Sequence, residues 1–395
     1  MKAGWQRKKL AEVLQKTETV NPQLSPESEF DYIDVSSVSN ITYQIESTQR
    51  LKGVDAPSRA RKLVLENDVL FATIRPTLQR IAIVPEYLNG QICSTGYFVL
   101  RPKPEIDHRF LFYALFCEEF CRQIEVLQKG ASYPAVTDGD VRGQAIAFPP
   151  LPEQHRIVTV LDEAFDGIAT ARANAEKNLQ NARALFESHL QSVFTERGEG
   201  WELKTLAEIA TTFGRGKSRH RPRNAPHLYG GQYPFVQTGD IRNADHVITE
   251  YSQTYSEAGL AQSTLWPKGT VCITIAANIA ETAVLGFDAC FPDSVIGVVA
   301  NPIQAEVHFI EYLLQSFKSR IQAMGKGSAQ ANINLGTFEN ERFPFPSVEV
   351  QKQLVAKLDL LRDETQRLES LYQQKLAALD ELKKSLLHQA FSGQL

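Results

Sequence analysis

Five cations occupy alternate positions in one short stretch: Arg215, Lys217, Arg219, Arg221 and Arg223, with no acid between them. In an extended backbone alternate side chains point to one face, so all five would share it. Such a row repels itself unless an anion lies against it, and a phosphate backbone is a fitting partner. A solvated basic loop is the plain alternative. A weaker gathering comes earlier: Arg50, Lys52, Arg59, Arg61 and Lys62, interrupted only by Asp55, then Arg75 and Arg80 around Pro76. Arg75-Pro76-Thr77 follows a candidate strand, where a loop residue can project. Two glycine loops complete the set, Lys129-Gly130-Ala131-Ser132-Tyr133-Pro134 and Lys326-Gly327-Ser328-Ala329-Gln330-Ala331-Asn332. Lys before Gly lets backbone N–H groups approach a phosphate, while Tyr133, Gln330 and Asn332 offer stacking or amide contacts to base edges. An ordinary turn is the alternative for each loop.

Other chemistries find no support. Gly216-Lys217-Ser218 imitates the end of a P-loop, but the glycine required five positions earlier is Thr211, and Pro222 opposes a long following helix. The Asn-Pro-Pro-Tyr segment with which an adenine methyltransferase grips a flipped base is missing; Asn301-Pro302-Ile303-Gln304 is half of one. The eight histidines have no metal spacing, and the five cysteines (Cys93, Cys117, Cys121, Cys272, Cys290) fit no zinc pattern. Cys117 and Cys121 are expected as buried, reduced thiols on a helix. Asp138 and Asp140 read as a turn before a strand at Ala145 to Phe148. No catalytic residue and no metal ligand is assigned.

The elements that position these residues are written twice. Trp5-x-x-x-x-Leu10-x-Glu12 returns as Trp201-x-x-x-x-Leu206-x-Glu208, displaced by 196 residues, and Gln154 to Phe194 matches Gln351 to Phe391, displaced by 197. Such a period means tandem copies of one module. Two long helices are predicted, from about Glu153 to Thr195 and from about Val350 to Ala390. Apolar residues recur at coiled-coil steps of three and four. Ile157, Leu161, Ile168, Leu179 and Leu185 mark the first stripe; Leu354, Leu358, Leu361, Leu368, Leu376 and Leu382 mark the second. Both stripes stutter at the same place, before Leu179 and before Leu376. Mutual pairing is one reading; two helices packed separately on their own domains is the other. Proline-rich lead-ins, Phe148 to Pro152 and Phe343 to Pro346, announce each helix.

Each copy places a mixed region before its helix. Strands are predicted at 69–74, 81–84 and 97–100, with counterparts at 271–275, 283–285 and 295–300, and a helix follows at 108–128 and at 308–324. The division is therefore 1–150, 151–198, 199–346 and 347–395: domain, helix, domain, helix. A length of 395 residues exceeds a single growing core, and 43% hydrophobic residues indicate ordinary globular packing. The net charge of −4 argues weakly against nucleic acid, but local clusters decide phosphate contact. Lacking a long apolar run or a secretory leader, the chain is expected to be cytoplasmic.

These residues resemble a family. Pro150-Leu151-Pro152-Glu153-Gln154-His155-Arg156-Ile157-Val158, the Trp-x-x-x-x-Leu-x-Glu openings and the tail Ser385 to Leu395 resemble the specificity (S) subunit of type I restriction–modification systems. The second lead-in, Val348 to Val355, is similar but lacks the Pro-Glu pair. The resemblance implies an α+β fold: two tandem mixed α/β target recognition domains, separated by two long helices that form an antiparallel coiled coil, with internal pseudo-two-fold symmetry. It implies a non-catalytic subunit that reads a bipartite, asymmetric double-stranded DNA target and docks two methyltransferase (M) subunits, to which restriction (R) subunits add. S-adenosylmethionine would belong to the M subunit and ATP with Mg to the R subunit, with no cofactor in this chain. A helix of about 43 residues spans roughly 65 Å. The competing reading is a stand-alone DNA methyltransferase or nuclease with duplicated DNA-binding halves.

Overall fold

The computed structural model of the chain describes residues 4–220, 222–276, 278–325, 333 and 335–395. It divides into two compact units, Met1–Glu176 with Gln374–Leu395, and Lys177–Gln373.

Both units are built on the same three-stranded core. In the first, Val69–Ala72 lies between Ile81–Ile83 and Tyr97–Leu100, all antiparallel, with Val69 opposite both Ile83 and Leu100. Its residues are buried on both faces, as the continuous apolar run Val-Leu-Phe-Ala requires. In the second, Val271–Thr274 lies between Thr282–Leu285 and Val295–Ala300, with Val271 opposite Val284 and Val298. Ala210–Arg215 and Val247–Ile248 extend that sheet to five strands. The first unit instead adds a separate four-stranded sheet in the order Gln49–Lys52, Glu29–Ile33, Ile92–Ser94, Ala60–Leu63. The strands predicted from β-branched runs are present, with ends within two residues of the predicted ones.

The helices between core and spacer differ from expectation. The segment 108–128 forms two helices, His108–Ala114 and Glu118–Leu127, with Cys117 extended as the new N-cap. The segment 308–324 likewise divides at Phe317 into Val307–Ser316 and Lys318–Gly325. The break has a packing cause in the first unit: Phe110 and Leu111 of one piece and Phe120 and Ile124 of the other all enter the same core. Asp138–Arg142 is a short helix, not a turn; Thr137 Oγ1 accepts from the Asp140 N–H (3.1 Å) and the Asp140 carboxylate accepts from the Thr137 N–H (2.8 Å).

The long helices run Leu151–Thr195 and Val348–Ser392. Pro152 lies inside the first turn, where its missing N–H is unneeded. In the first unit the start of the first helix meets the end of the second: Arg156 Nη2 donates to Leu395 O (2.7 Å) and Arg172 pairs with Asp380, so the two run antiparallel. In the second unit Arg183 pairs with Glu369 at 2.9 Å, and Leu190 and Phe194 share a core with Val355 and Leu358.

Of the expected seam, Ile157, Leu161 and Leu358 are buried, and Ile168, Leu179, Leu354, Leu361, Leu368 and Leu376 half-buried. Leu185 and Leu382 are corrections: they are 50% and 46% exposed. After Ala182 the buried face advances through Phe186, Leu190 and Phe194 in steps of four. A 3.5-residue repeat lags behind that advance, because here the side chains leave the partner helix and enter a domain core. In the second helix Lys383 takes the corresponding half-buried place, its Nζ 4.4 Å from the Tyr43 ring centre and 5.2 Å from that of Phe165.

One junction recurs in both units. Gln154, fully buried, accepts from the Asp107 N–H (2.9 Å) and donates to Glu105 O (2.9 Å) and Pro149 O (2.8 Å). Gln351, also fully buried, accepts from the Glu306 N–H (2.9 Å) and donates to Gln304 O (3.2 Å) and Pro346 O (2.8 Å). Tyr113 donates to Asp162 and Tyr312 to Asp359, each at 2.6 Å. Trp5, Phe110 and Phe391 cluster in the first unit; Trp201, Phe309 and Phe194 cluster in the second.

All five cysteines are free thiols. Cys117 and Cys121 are half-buried, short of the full burial expected, since the helix breaks at Cys117. Burial pushes the Cys93 thiol up to about 12 and Cys117 to about 11. Iodoacetamide at pH 8 should therefore label at most Cys117 and Cys121 in the native protein and all five in urea, as counted by mass; rapid native labelling of Cys93 would contradict the core as described. Gln154→Ala strands three buried backbone groups and should cost about 2–4 kcal/mol. Calorimetry should show one transition falling by roughly 5–12 °C, and Gln351→Ala should lower the other; unchanged melting for both would remove the junction's structural role.

Candidate nucleic-acid interface

In the first unit the candidate residues gather around one turn. Strands Ile92–Ser94 and Tyr97–Leu100 are joined by Thr95-Gly96, and this turn holds two neighbours. Thr95 N–H donates to Arg59 O (2.8 Å), while Gly96 O accepts from the Thr73 N–H (2.8 Å) and hydroxyl (3.0 Å). A side chain at Gly96 would meet Val35 Cγ2 at 2.5 Å and push it aside, so glycine suits the close approach. Thr73 opens the hairpin loop between Val69–Ala72 and Ile81–Ile83. Two non-glycine residues of that loop, Arg75 and Gln79, adopt left-handed backbone at φ 50° and 51°. Such conformations cost free energy and gather at functional sites.

The Lys129 to Ala135 loop closes on this hairpin. Lys129 and Ala135 exchange backbone hydrogen bonds (3.0 and 2.9 Å), with Gly130 turning the chain at φ 100°. Arg75 N–H donates to Pro134 O (2.7 Å) and Val136 N–H to Thr73 O (2.9 Å). Tyr133 is 69% exposed, and the Arg75 guanidinium carbon lies 4.7 Å from its ring centre. That cation–π contact contributes about 0.5–1 kcal/mol at an exposed site. The structure thus brings Arg59, Arg75, Lys129 and Tyr133 to one exposed cluster.

It withdraws others. Lys62 donates to Tyr97 O (2.5 Å) and pairs with Asp138 at 2.6 Å, its side chain 17% exposed, so its charge is spent internally. Arg80 donates to Val38 O and Arg61 to Ala60 O (3.0 Å), and both are half-buried. Arg50 is neutralised by Glu29 and Asp31, and Lys52 by Glu27.

In the second unit the alternation of the basic stretch is visible in burial. Arg215, Lys217 and Arg219 are exposed, while Gly216 and Ser218 between them are buried. Gly216 N–H donates to Val295 O (2.9 Å), continuing the sheet past Arg215, and a side chain there would meet Phe291 O at 2.3 Å. Asp293 gathers two of the cations: its carbonyl accepts from Arg215 Nε (2.7 Å) and its carboxylate pairs with Arg223 (2.7 Å). Lys217 and Arg219 enter no ion pair among the described residues. Arg221, Lys326, Gln330 and Asn332 lie outside the described residues.

The hairpin turn repeats here. Ser294 O accepts from the Ile275 N–H (2.9 Å), as Gly96 O does from Thr73, and Ile333 N–H donates to Ile275 O (3.3 Å). Ala280 takes the left-handed place of Gln79 at φ 62°. Sequence reading missed Arg242, on the short helix Thr238–Asn243, whose guanidinium reaches Asn278 Oδ1 in this loop (3.3 Å). The available signal was the box of Gln237 and Asp240 that starts this helix. Arg242 lines an open cleft of about 1130 Å³ with Arg197, Lys318 and Arg320, where Glu281 pairs with Lys318 at 2.8 Å.

Nothing among the described residues is arranged as a metal centre. His246, His308 and Glu311 form a chain, with His246 Nδ1 2.5 Å from Glu311 Oε2 and His308 Nδ1 2.8 Å from His246 Nε2. The side chains of His246 and Glu311 are 5% and 0% exposed, which closes them to a substrate. No helix among the described residues is long and apolar enough to cross a membrane.

Comparison with known proteins agrees with this layout. The family model for the type I restriction modification DNA specificity domain matches twice, at residues 2–179 and 198–377. The HindI type I restriction enzyme specificity subunit of Haemophilus influenzae is 20% identical over 383 residues, covering 76% of this chain and 82% of that one. The HsdS subunit of Thermoanaerobacter tengcongensis superimposes with a TM-score of 0.74 at 29% identity, covering 100% of this chain and 98% of that one. A chain from a study of complex assembly and conformational transition of the type I R-M system superimposes with a TM-score of 0.86, also at 29% identity, covering 100% and 99%. These likenesses displace the reading as a stand-alone methyltransferase or nuclease. The chain belongs to the type I restriction–modification specificity subunits, which are non-catalytic, and carries two DNA specificity domains in tandem.

Proposed function

We propose that this subunit reads a bipartite, asymmetric double-stranded DNA target, one domain per half-site, and docks two M subunits and R subunits through its helices. The observation that carries the reading is the repeated loop junction, one in each unit, which presents exposed cations on a common scaffold with different side chains. Equal scaffolds make equivalent poses on DNA; different side chains make different half-sites. The contacts fall to Arg59, Arg75, Lys129 and Tyr133 in the first domain and to Lys217 and Arg219 in the second, where Arg215 and Arg223, both held by Asp293, remain candidates on sequence grounds. Arg221, Lys326, Gln330 and Asn332 remain candidates on sequence grounds. Each domain is followed by its helix, with boundaries at 150, 198 and 346. Each long helix has 45 residues, about 68 Å of rise, so helix length is the natural ruler for the spacer. S-adenosylmethionine is assigned to the M subunit, ATP and Mg to the R subunit, and the assembly to the cytoplasm.

Reversing Lys217 and Arg219 together to Glu should lower the affinity of the S–M complex for DNA and flatten its salt dependence by about two contacts. Unchanged affinity and slope would move the DNA surface elsewhere. Removing seven residues, about two turns, from each long helix should shorten the tolerated distance between half-sites. The spacing is read by mapping methylated adenines; an unaltered spacer would discard the ruler. Without M subunits the chain should transfer no methyl group to DNA, and transfer by the purified chain alone would sink the assignment.

A further inference from the structure

We propose that the hairpin loop at 73–80 and its counterpart at 275–281 each hold one DNA phosphate through a guanidinium, Arg75 in the first domain and Arg242 in the second, independently of base sequence. The inference rests on the reading that both domains meet DNA.

The two loops join equivalent strands, close on a left-handed non-glycine residue (Gln79, Ala280) and lean on equivalent carbonyls (Gly96 O, Ser294 O). The guanidiniums arrive by different routes. Arg75 belongs to its loop, lies in strained left-handed backbone and stacks on Tyr133. Arg242 comes from a separate short helix and reaches Asn278 in its loop at 3.3 Å. Two unrelated positions in the sequence thus bring a guanidinium to equivalent loops of the two domains. A feature shared by domains whose other loop residues differ serves what their half-sites share. That common element is the sugar–phosphate backbone, since base edges differ from one half-site to the next.

Electrostatics agree. Both residues are exposed, and neither enters an ion pair among the described residues. The contacts of Arg242 to Asn278 and Asn243 are long, 3.3 and 3.4 Å, and leave its fork available. Each charge is therefore open to an anion from outside the chain, and a guanidinium fork matches two phosphate oxygens.

The test uses the S–M complex, with fluorescence anisotropy on the duplex identified by methylation mapping and on duplexes carrying each single-base change in either half-site. The salt concentration is varied throughout. Arg75→Ala and Arg242→Ala should each reduce the slope of log affinity against log salt by about 0.9, which is about 8-fold weaker binding at 0.1 M than the wild-type extrapolates from 1 M. The ranking of the single-base changes should stay as in the wild type. Arg75→Lys keeps the charge and should retain the slope, which separates lost contact from lost folding. Two results overturn the proposal: an unchanged slope in both alanine variants, or a preference relaxed at one base pair, which would make the residue a base reader. If the wild-type complex itself failed to prefer its mapped duplex over a scrambled one, the underlying reading of the domains would fall as well.

Discussion

The fold depends on how each domain is fastened to the helix that follows it, and a single buried glutamine satisfies the polar groups at that join. Gln154 and Gln351 each satisfy one N–H and two carbonyls that the start of a helix would otherwise leave dry. The N–H they accept from belongs to the N-cap residue of another helix, Asp107 or Glu306, whose own carboxylate caps Phe110 or Phe309. One amide therefore sets the angle between two helices. An apolar residue would pack there but leave three polar groups unpaired, and Glu would bury a charge and lose the donors. The Tyr–Asp hydrogen bond two turns further on fixes the same angle a second time.

This junction explains why the spacing apparatus was legible. Gln154 and Gln351, with Asp162 and Asp359, keep a displacement of 197 because the geometry admits few substitutes. The proline lead-ins and the apolar core strands were readable for similar local reasons. What stayed hidden was decided by tertiary packing. Helical periodicity ran straight through Cys117 and Phe317, since both halves of each broken helix carry apolar faces. Leu185 and Leu382 fit a heptad, yet the heptad's partner gives way there to a domain core.

Charge was harder still. Lys62 and Arg59 look alike in sequence, but one sits beside the Asp138 carboxylate and the other points outward. Nothing in residue type distinguishes them, because the acid that claims Lys62 is far along the chain. Arg242 escaped notice for the opposite reason: it stands alone in sequence and gains meaning only from the loop it touches. The alternating stretch from Arg215 to Arg219 was legible because period two is a backbone property, and burial follows it residue by residue.

The two units are not equal in how the chain supplies them. The second is one continuous stretch, Lys177–Gln373, whereas the first joins Met1–Glu176 to Gln374–Leu395. Leu387 and Ala390 share a core with Leu10 and Val13, among the widest sequence separations in the molecule. Synthesis runs from the N-terminus, so the earlier domain must wait for a helix end made after the later domain, which has all its residues before that. Closing so long a loop is slow in folding terms. The order of translation of the two domains is thus the reverse of their order of completion, and a chain stopped at Gln373 leaves Leu10, Val13 and Phe110 without the Leu387, Ala390 and Phe391 side chains that pack on them.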